Sequence, residues 1–356
     1  MATQFADDGG SAKSSFVILD LEVDADSLLS SSPSSLSPCL LCCCGRHMMM
    51  VDRKKTNNKE ENNCKSISKN EEISLYRDHE IPDFLRINRY IVRGYRSLLP
   101  VHLCLKSLFI WSNETINIWS HLLGCLIFAV LLMYDNVYAI PKISGSFMDH
   151  IICSISLICF QICMISSASY HVFYCHSPKA NIRWLAIDLS GIIFGLMGCY
   201  IPGVHYSFYC LVEWERIYMI IIVILSVIIL SIQLKPKRLN NSLTFTLSRV
   251  LMYSCLAIYG IIPAAHWIYL NGGWENKVVQ VFVPKIVVMY LIGVGAVFFY
   301  LSQVPERLAP GIFDIVGASH QIWHIFIFSS LVWWRKSYME LLDYRLQYPC
   351  VHKAST

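Results

Sequence analysis

The chain has 356 residues, of which 55% are hydrophobic and only 15% charged, and its mean hydropathy is +0.47. That apolar content excludes an ordinary soluble domain and points to a polytopic membrane protein. The formal net charge of +4 carries no nucleic-acid message; the basic residues cluster beside apolar runs, where attraction to anionic membrane lipid is the simpler account.

In chain order, residues 1–71 read as a disordered cytosolic arm. The opening "MATQFADDGG" is polar, and the early run "FVILDLEV" is broken by Asp20 and Glu22, so no cleavable signal peptide is expected. A Ser/Pro/Leu stretch, "SLLSSSPSSLSP", is followed by "CLLCCCGRHMMM" and the polar run "DRKKTNNKEENN", with little apolar periodicity. Cys39, Cys42, Cys43 and Cys44 have no second ligand pair at zinc-finger spacing. Reversible palmitoylation is the functional reading of that cluster, and an unmodified arm is the plain one. From 72 to 112 aliphatic and aromatic residues mix with arginines, and Pro82 and Pro100 divide the segment into short helices. This reads as an amphipathic juxtamembrane helix, with Arg and Lys among headgroups and Leu and Phe pointing inward.

A membrane domain follows over 113–336, with apolar runs near 117–138, 148–171, 184–204, 214–234, 246–269, 280–301 and 317–336. Each reaches the roughly 20 residues needed to cross about 30 Å of hydrocarbon as a helix, and the runs are too long for barrel strands. The fold class is therefore an all-α membrane protein, a seven-transmembrane helix bundle. One set of loops carries Lys179, Arg183, Lys235, Lys237, Arg238 and Arg307, joined by Arg86, Arg89, Arg93, Arg96 and Lys106 of the N-terminal flank. The opposite loops carry Lys142, Arg216 and Lys277. This asymmetry predicts a cytosolic N-terminus and, with seven spans, a lumenal C-terminal tail over 337–356, against which Arg335 and Lys336 weigh mildly. Cys210 and Cys350 fall on the non-cytosolic side and are read as a pair, with two free thiols the alternative.

Ionisable groups inside a span cost about 2.5–3.5 kcal/mol each on insertion scales unless paired, so each is a functional candidate. His171 ends span 2 in "SSASYHVFYCHS", Asp188 begins span 3 in "LAIDLSGI", and His320 and His324 open span 7 in "SHQIWHIFIF". The end of span 2 and the starts of spans 3 and 7 share a leaflet whichever way the protein faces. Three histidines and a carboxylate at one level match a catalytic-type zinc site with a position left for water. Structural zinc binding, worth about 10–16 kcal/mol, would more than offset burying them. The bland reading of His320 and His324 is an i, i+4 packing pair. Ser167, one turn before His171, is placed to steady the site or its water. Glu114, Asn117 and His121 share one face at the start of span 1, either as support for the metal ligands or as an inter-helix packing cluster. His176 points about 140° away from His171 and is left out. His205 and His266 belong to the other leaflet, and Lys285 is read as snorkelling outward.

On "NETINIWSHLLG", "SASYHVFYCHS", "DLSGI" and "SHQIWHIFIF" the chain resembles the progestin and adipoQ receptor family, over roughly residues 80–340. The resemblance implies seven helices, a cytosolic N-terminus and an intramembrane zinc near the cytosolic face. It places the three ligands on His171, His320 and His324, the site's aspartate on Asp188 and its serine on Ser167. Leu189 stands where members often carry Tyr, which leaves the ligands untouched. The stretches "GYRSLLPVHLCLKSLFIWSNETINIWSHLLG", "IICSISLICFQICM" and "VPERLAPG" resemble a Golgi-resident branch of the family. That branch implies a Golgi membrane scaffold whose cytosolic N-terminal region holds Raf kinase away from the plasma membrane and damps MAP-kinase signalling. The Ser- and Cys-rich first 70 or so residues depart from it. The family also implies a zinc-dependent amide hydrolase acting on a ceramide-like lipid, with Asp188 as proton acceptor, and a hormone or steroid receptor, for which the short exposed loops leave little surface.

Overall fold

In hydrocarbon a chain must satisfy its own backbone hydrogen bonds, so each long apolar run folds as a helix. A computed structural model of the chain describes residues 72–234 and 242–350, with the backbone alone considered over 242–250. The arm expected at 1–71, with Cys39 and Cys42 to Cys44, lies outside the described residues, as do Lys235, Lys237 and Arg238.

After a short helix α1 (Val101–Lys106) come α2 (Thr115–Tyr134), α3 (Phe147–Phe173), α4 (Pro178–Ser207), α5 (Val212–Gln233), α6 (Ser242–Tyr259), α7 (Ile261–Leu270), α8 (Lys277–Ser302) and α9 (Ser319–Gln347). Helix α2 runs on through a π-helical turn, Asp135–Ala139, into Ile140–Lys142, and α6 and α7 meet at Gly260 as one broken span. Among the described residues six segments are long and apolar enough to cross a membrane, and α9 is the seventh helix of the bundle. Its apolar stretch gives way to Arg335, Lys336, Glu340, Asp343 and Arg345, yet the helix continues to Gln347. It does so because Ser337, Tyr338, Leu341, Leu342 and Arg345 turn inward and are buried, so the region expected as a tail is helical over its first part.

The helix ends obey local rules. Ser146 and Asp149 cap α3 reciprocally, Ser146 Oγ accepting from Asp149 N and Asp149 Oδ2 from Ser146 N. Ser177 caps α4 just ahead of Pro178, which needs no hydrogen-bond acceptor for its own nitrogen, and Asn276 caps α8. The row Gly191, Gly195 and Gly198 lets α4 lie directly on α3: a Cβ at Gly195 would stand 3.1 Å from Cys163 Sγ, and one at Gly198 2.8 Å from Phe160. Helix α3 is the most buried of the spans. Isoleucines, valines and leucines such as Val130, Ile224 and Leu291 are exposed around the bundle, as a hydrocarbon-facing surface requires.

Residues 72–114 form a cap over one end of the bundle. Strand β1 (Tyr76–Arg77) pairs antiparallel with β2 (Arg93–Tyr95). Leu85, Ile91, Tyr95, Leu103 and Cys104 pack with Tyr170, Tyr174 and Cys175 at the end of α3. In place of one amphipathic juxtamembrane helix, the segment holds the β1–β2 pair and short turns, and helix α1 buries Leu103 and Cys104 while Val101 and Leu105 are exposed.

The opposite, far end is held by contacts between distant segments. Arg335 of α9 meets Asp135 of the π turn through both Nε and Nη2, and the Asp135 side chain is fully buried. Lys285 does not snorkel outward: it pairs with Glu340 of α9, its side chain 20% exposed. Cys210 and Cys350 are joined in a disulfide across 140 residues. His205 bonds Glu215 and His266 bonds Tyr218 at this far end.

Candidate metal centre

His171 occupies the last turn of α3, and His320 and His324 the first turns of α9. The rotation of α9 is set at its N-terminus by residues remote in sequence. Glu306, fully buried in the loop after α8, accepts from Ser319 N at 2.7 Å and from Ser319 Oγ. A carboxylate there meets the unpaired amides and the positive end of the helix dipole. Gln321 Oε1 takes Gly317 N at 2.7 Å, and its amide reaches Ile315 O and Asn113 O. These bonds turn both histidines toward α3.

On the other side, Arg96 is fully buried in the cap and donates to the backbone carbonyl of His171 and, at 2.6 Å, to Ser107 Oγ. Glu114, at the start of α2, accepts from His171 Nδ1 at 2.8 Å and from Asn117 Nδ2 at 2.7 Å, on the same oxygen. Because a carboxylate only accepts, the His171 proton sits on Nδ1 and the lone pair of Nε2 faces inward.

Three ring nitrogens therefore converge. His171 Nε2 lies 3.4 Å from His320 Nε2, which lies 3.2 Å from His324 Nε2. One donor atom from each of the three histidines falls within 4.8 Å of the others, so they form a group able to hold a metal ion. Two of the three spacings suit a tetrahedral ion, around which nitrogens each about 2.05 Å from the metal stand about 3.3 Å apart; the group as a whole spans up to 4.8 Å. His171 and His324 are buried and His320 is half-buried.

The remaining sequence candidates gather around this group. Asp188 of α4 is half-buried and lies beside His171 and Ser167 of α3. His121 of α2 stacks on His324 with ring centroids 3.9 Å apart. Glu114, Asn117 and His121 are thus continuous with the three histidines, two of them in direct contact with a candidate ligand. His176 bonds the carbonyl of Leu99 in the cap and takes no part. The sequence reading did not find Arg96, Glu306 or Gln321. Each acts on backbone groups, which leaves no spacing signature; an acidic residue shortly ahead of an unannounced helix start is the one faint cue at Glu306.

Two comparisons bear on this arrangement. The model of the family described as "Haemolysin-III related" matches residues 109–334, a stretch holding all three histidines. "Progestin and adipoQ receptor family member 3" of Homo sapiens is 45% identical over 279 residues, covering 78% of this chain and 89% of the relative. "Heptahelical transmembrane protein 1" of Arabidopsis thaliana is 30% identical over 277 residues, 76% of this chain and 82% of that one. "Adiponectin receptor protein" of Drosophila melanogaster is 30% identical over 269 residues, 75% of this chain and 60% of its own length. With seven helices, a three-histidine group at one membrane level and these likenesses, the chain belongs to the haemolysin-III related family, among its progestin and adipoQ receptors.

Proposed function

We propose that the protein is a zinc-bearing scaffold of the Golgi membrane that holds Raf kinase away from the plasma membrane and so damps MAP-kinase signalling. The observation that carries the reading is the 45% identity to the human family member 3 over 89% of that relative, taken with the motifs that resemble the Golgi branch. Zinc is the ion the donor set favours: three imidazoles suit a borderline-soft cation, and two of the three nitrogen spacings suit tetrahedral coordination. His171, His320 and His324 would hold it, tying α3 to α9. The N-terminus is cytosolic, a reading supported by Arg86, Arg89, Arg93 and Arg96 in the cap and by a disulfide at the far end, where an oxidising lumen would keep it.

The test uses the full chain expressed in cells. Raf kinase is expected to co-purify with it and to move to the Golgi, and the purified protein to carry about one zinc per chain. Absence of Raf kinase from the purified complex, where a control Golgi tether retains its own cargo, overturns the scaffold reading. Unchanged zinc content in His320→Ala and His324→Ala overturns the metal assignment.

A second reading is favoured by one feature, the half-buried Asp188 with Ser167 against it beside the histidines. Zinc, when bound, supplies a Lewis acid that acidifies water. Asp188 would take a proton from the attacking water and pass it to the departing amine nitrogen as the amide C–N bond breaks, and Ser167 Oγ would orient that water. The substrate class is a ceramide-like lipid amide reached from within the bilayer. Fatty-acid release from ceramide by the zinc-loaded protein tests it, and its absence from loaded protein rules it out.

A further inference from the structure

The loop between α8 and α9, residues 303–318, does more than cap α9. Leu308, Ile312 and Val316 are 77%, 70% and 53% exposed. In sequence the loop also carries Glu306, Arg307 and Asp314, so its charges nearly cancel and it reads as an ordinary solvated turn. The fold sorts them. Glu306 is fully buried, held by Asn88 Nδ2 at 2.9 Å and by Ser319. Asp314 is buried as well, taking Val92 N at 3.1 Å and lying 3.5 Å from Arg93 Nε. Both acids face inward, and Arg307 stays exposed.

The two buried acids also fix the neighbours. Through Asn88 and Val92 they fasten the loop to the cap, which brings Arg89 and Arg93 alongside, both exposed. Arg93 reaches over to the carbonyl of Gly311. The outer face of this end is therefore apolar at Leu308, Ile312 and Val316 and basic at Arg89, Arg93 and Arg307. The loop follows the end of α8, where Val294, Phe298 and Leu301 are also exposed. The same end of the bundle, by parity, carries a second exposed apolar set on the cap: Leu98, Val101, Leu105, Phe109 and Trp111.

We infer that the 303–318 loop is an interfacial wedge. Leu308, Ile312 and Val316 seat in the outer part of the acyl layer, and Arg89, Arg93 and Arg307 take the headgroups of anionic phospholipids. Apolar side chains flanked by arginines, with both of the loop's own carboxylates turned inward, fit a negatively charged bilayer surface. A leucine, an isoleucine and a valine held out into water by two buried carboxylates have no comparable account. The wedge would hold the cap flat on the membrane and keep Glu306, and with it the start of α9, in register over the histidines.

The experiment reconstitutes the full chain into nanodiscs of phosphatidylcholine with or without phosphatidylserine. An environment-sensitive fluorescent amino acid replaces Ile312, and in a second protein Leu308. A third carries it at Asp83, whose side chain is 90% exposed, as the water reference. The expected result is a blue-shifted emission at 312 and 308, quenched by lipid brominated near the headgroup, with none at 83. Phosphatidylserine is expected to deepen the quenching, and R89Q together with R307Q to remove that difference. Emission at 312 and 308 equal to that at 83 overturns the wedge. Equal quenching with and without phosphatidylserine overturns its anionic-lipid preference. Both readouts are independent of which way the protein faces.

Discussion

Replacing Glu114 puts the geometry around His171 to a direct test. Its carboxylate, 10% exposed, accepts from His171 Nδ1 at 2.8 Å and Asn117 Nδ2 at 2.7 Å. Glu114→Ala removes one acceptor and strands two buried donors. Each unsatisfied buried group costs about 1–3 kcal/mol, so the loss is roughly 2–6 kcal/mol if nothing rearranges. The ring of His171 is also freed to turn or to move its proton to Nε2, the atom that faces His320. Losing such a carboxylate behind a metal-bound histidine typically costs about 10–100-fold in metal affinity. Glu114→Gln keeps an acceptor oxygen without the charge and is expected to fall between the two. The assay is thermal unfolding in detergent, with zinc content measured after a graded chelator challenge. The expected order in both is wild type, then Glu114→Gln, then Glu114→Ala. Wild-type zinc retention in Glu114→Ala would refute the tautomer argument, whatever happens to stability.

The other predictions draw on separate contacts. Gly198→Ala puts a Cβ within 2.9 Å of Phe160 and Cys159 and should lower stability by about 1–3 kcal/mol, whereas Gly293→Ala, with nothing within 4 Å of its Cβ, should not; equal melting temperatures would count against close α3–α4 packing. Arg335→Gln leaves Asp135 buried without its partner and should cost about 3–5 kcal/mol, with Asp135→Asn added to it recovering much of the loss; additive losses in the double variant would contradict the pairing. Cys350→Ser should abolish any mobility shift on reduction and lower thermal stability, and a wild-type gel unchanged by reductant would dispose of the Cys210–Cys350 bond. Asp188→Asn should retain zinc; if the protein is a hydrolase the variant loses fatty-acid release, and if it is a scaffold Raf kinase retention is unchanged.

Much of this was legible one residue at a time, because a bilayer imposes both length and level. Counting crossings puts His171, Asp188, His320 and His324 at one depth without any structure, and helical spacing turns Glu114, Asn117 and His121 to one face. Pairing between distant charges was not legible. Asp135 and Arg335 are 200 residues apart, and along the chain each is just a charge near the end of a span. Hydropathy therefore counted Arg335 against the orientation and read Lys285 as snorkelling, when both are neutralised across the far end. The helical continuation of α9 past 336 was hidden for the same reason: its buried face alternates with Lys336, Glu340 and Asp343, so the mean hides the stripe. The cap's mix of apolar residues and arginines reads along the chain as an amphipathic helix, because its true core depends on Leu85, Ile91 and Tyr95 folding onto Tyr170 and Tyr174.

These contacts divide the bundle into two separately fastened ends, and that bears on what a metal can do here. The far end is closed by the Arg335–Asp135 pair, the Lys285–Glu340 pair, the Cys210–Cys350 disulfide and the Trp334 Nε1 bond to Cys199 O. None of these touches the histidines. Helix α9 is thus anchored at its C-terminal half whether or not its N-terminal half is bridged to α3. Removing the ion should then free the cap end, including His320, His324 and the loop that Glu306 holds, while the far half keeps its packing. Hydrogen exchange would show this as faster exchange at the start of α9 and in residues 88–95, with α9 beyond Trp334 unchanged. If an ion bridges the histidines, it would act as a clasp between α3 and α9, and the bonds of Arg96 to His171 O and of Glu306 to Ser319 N tie the cap to those same two helix ends.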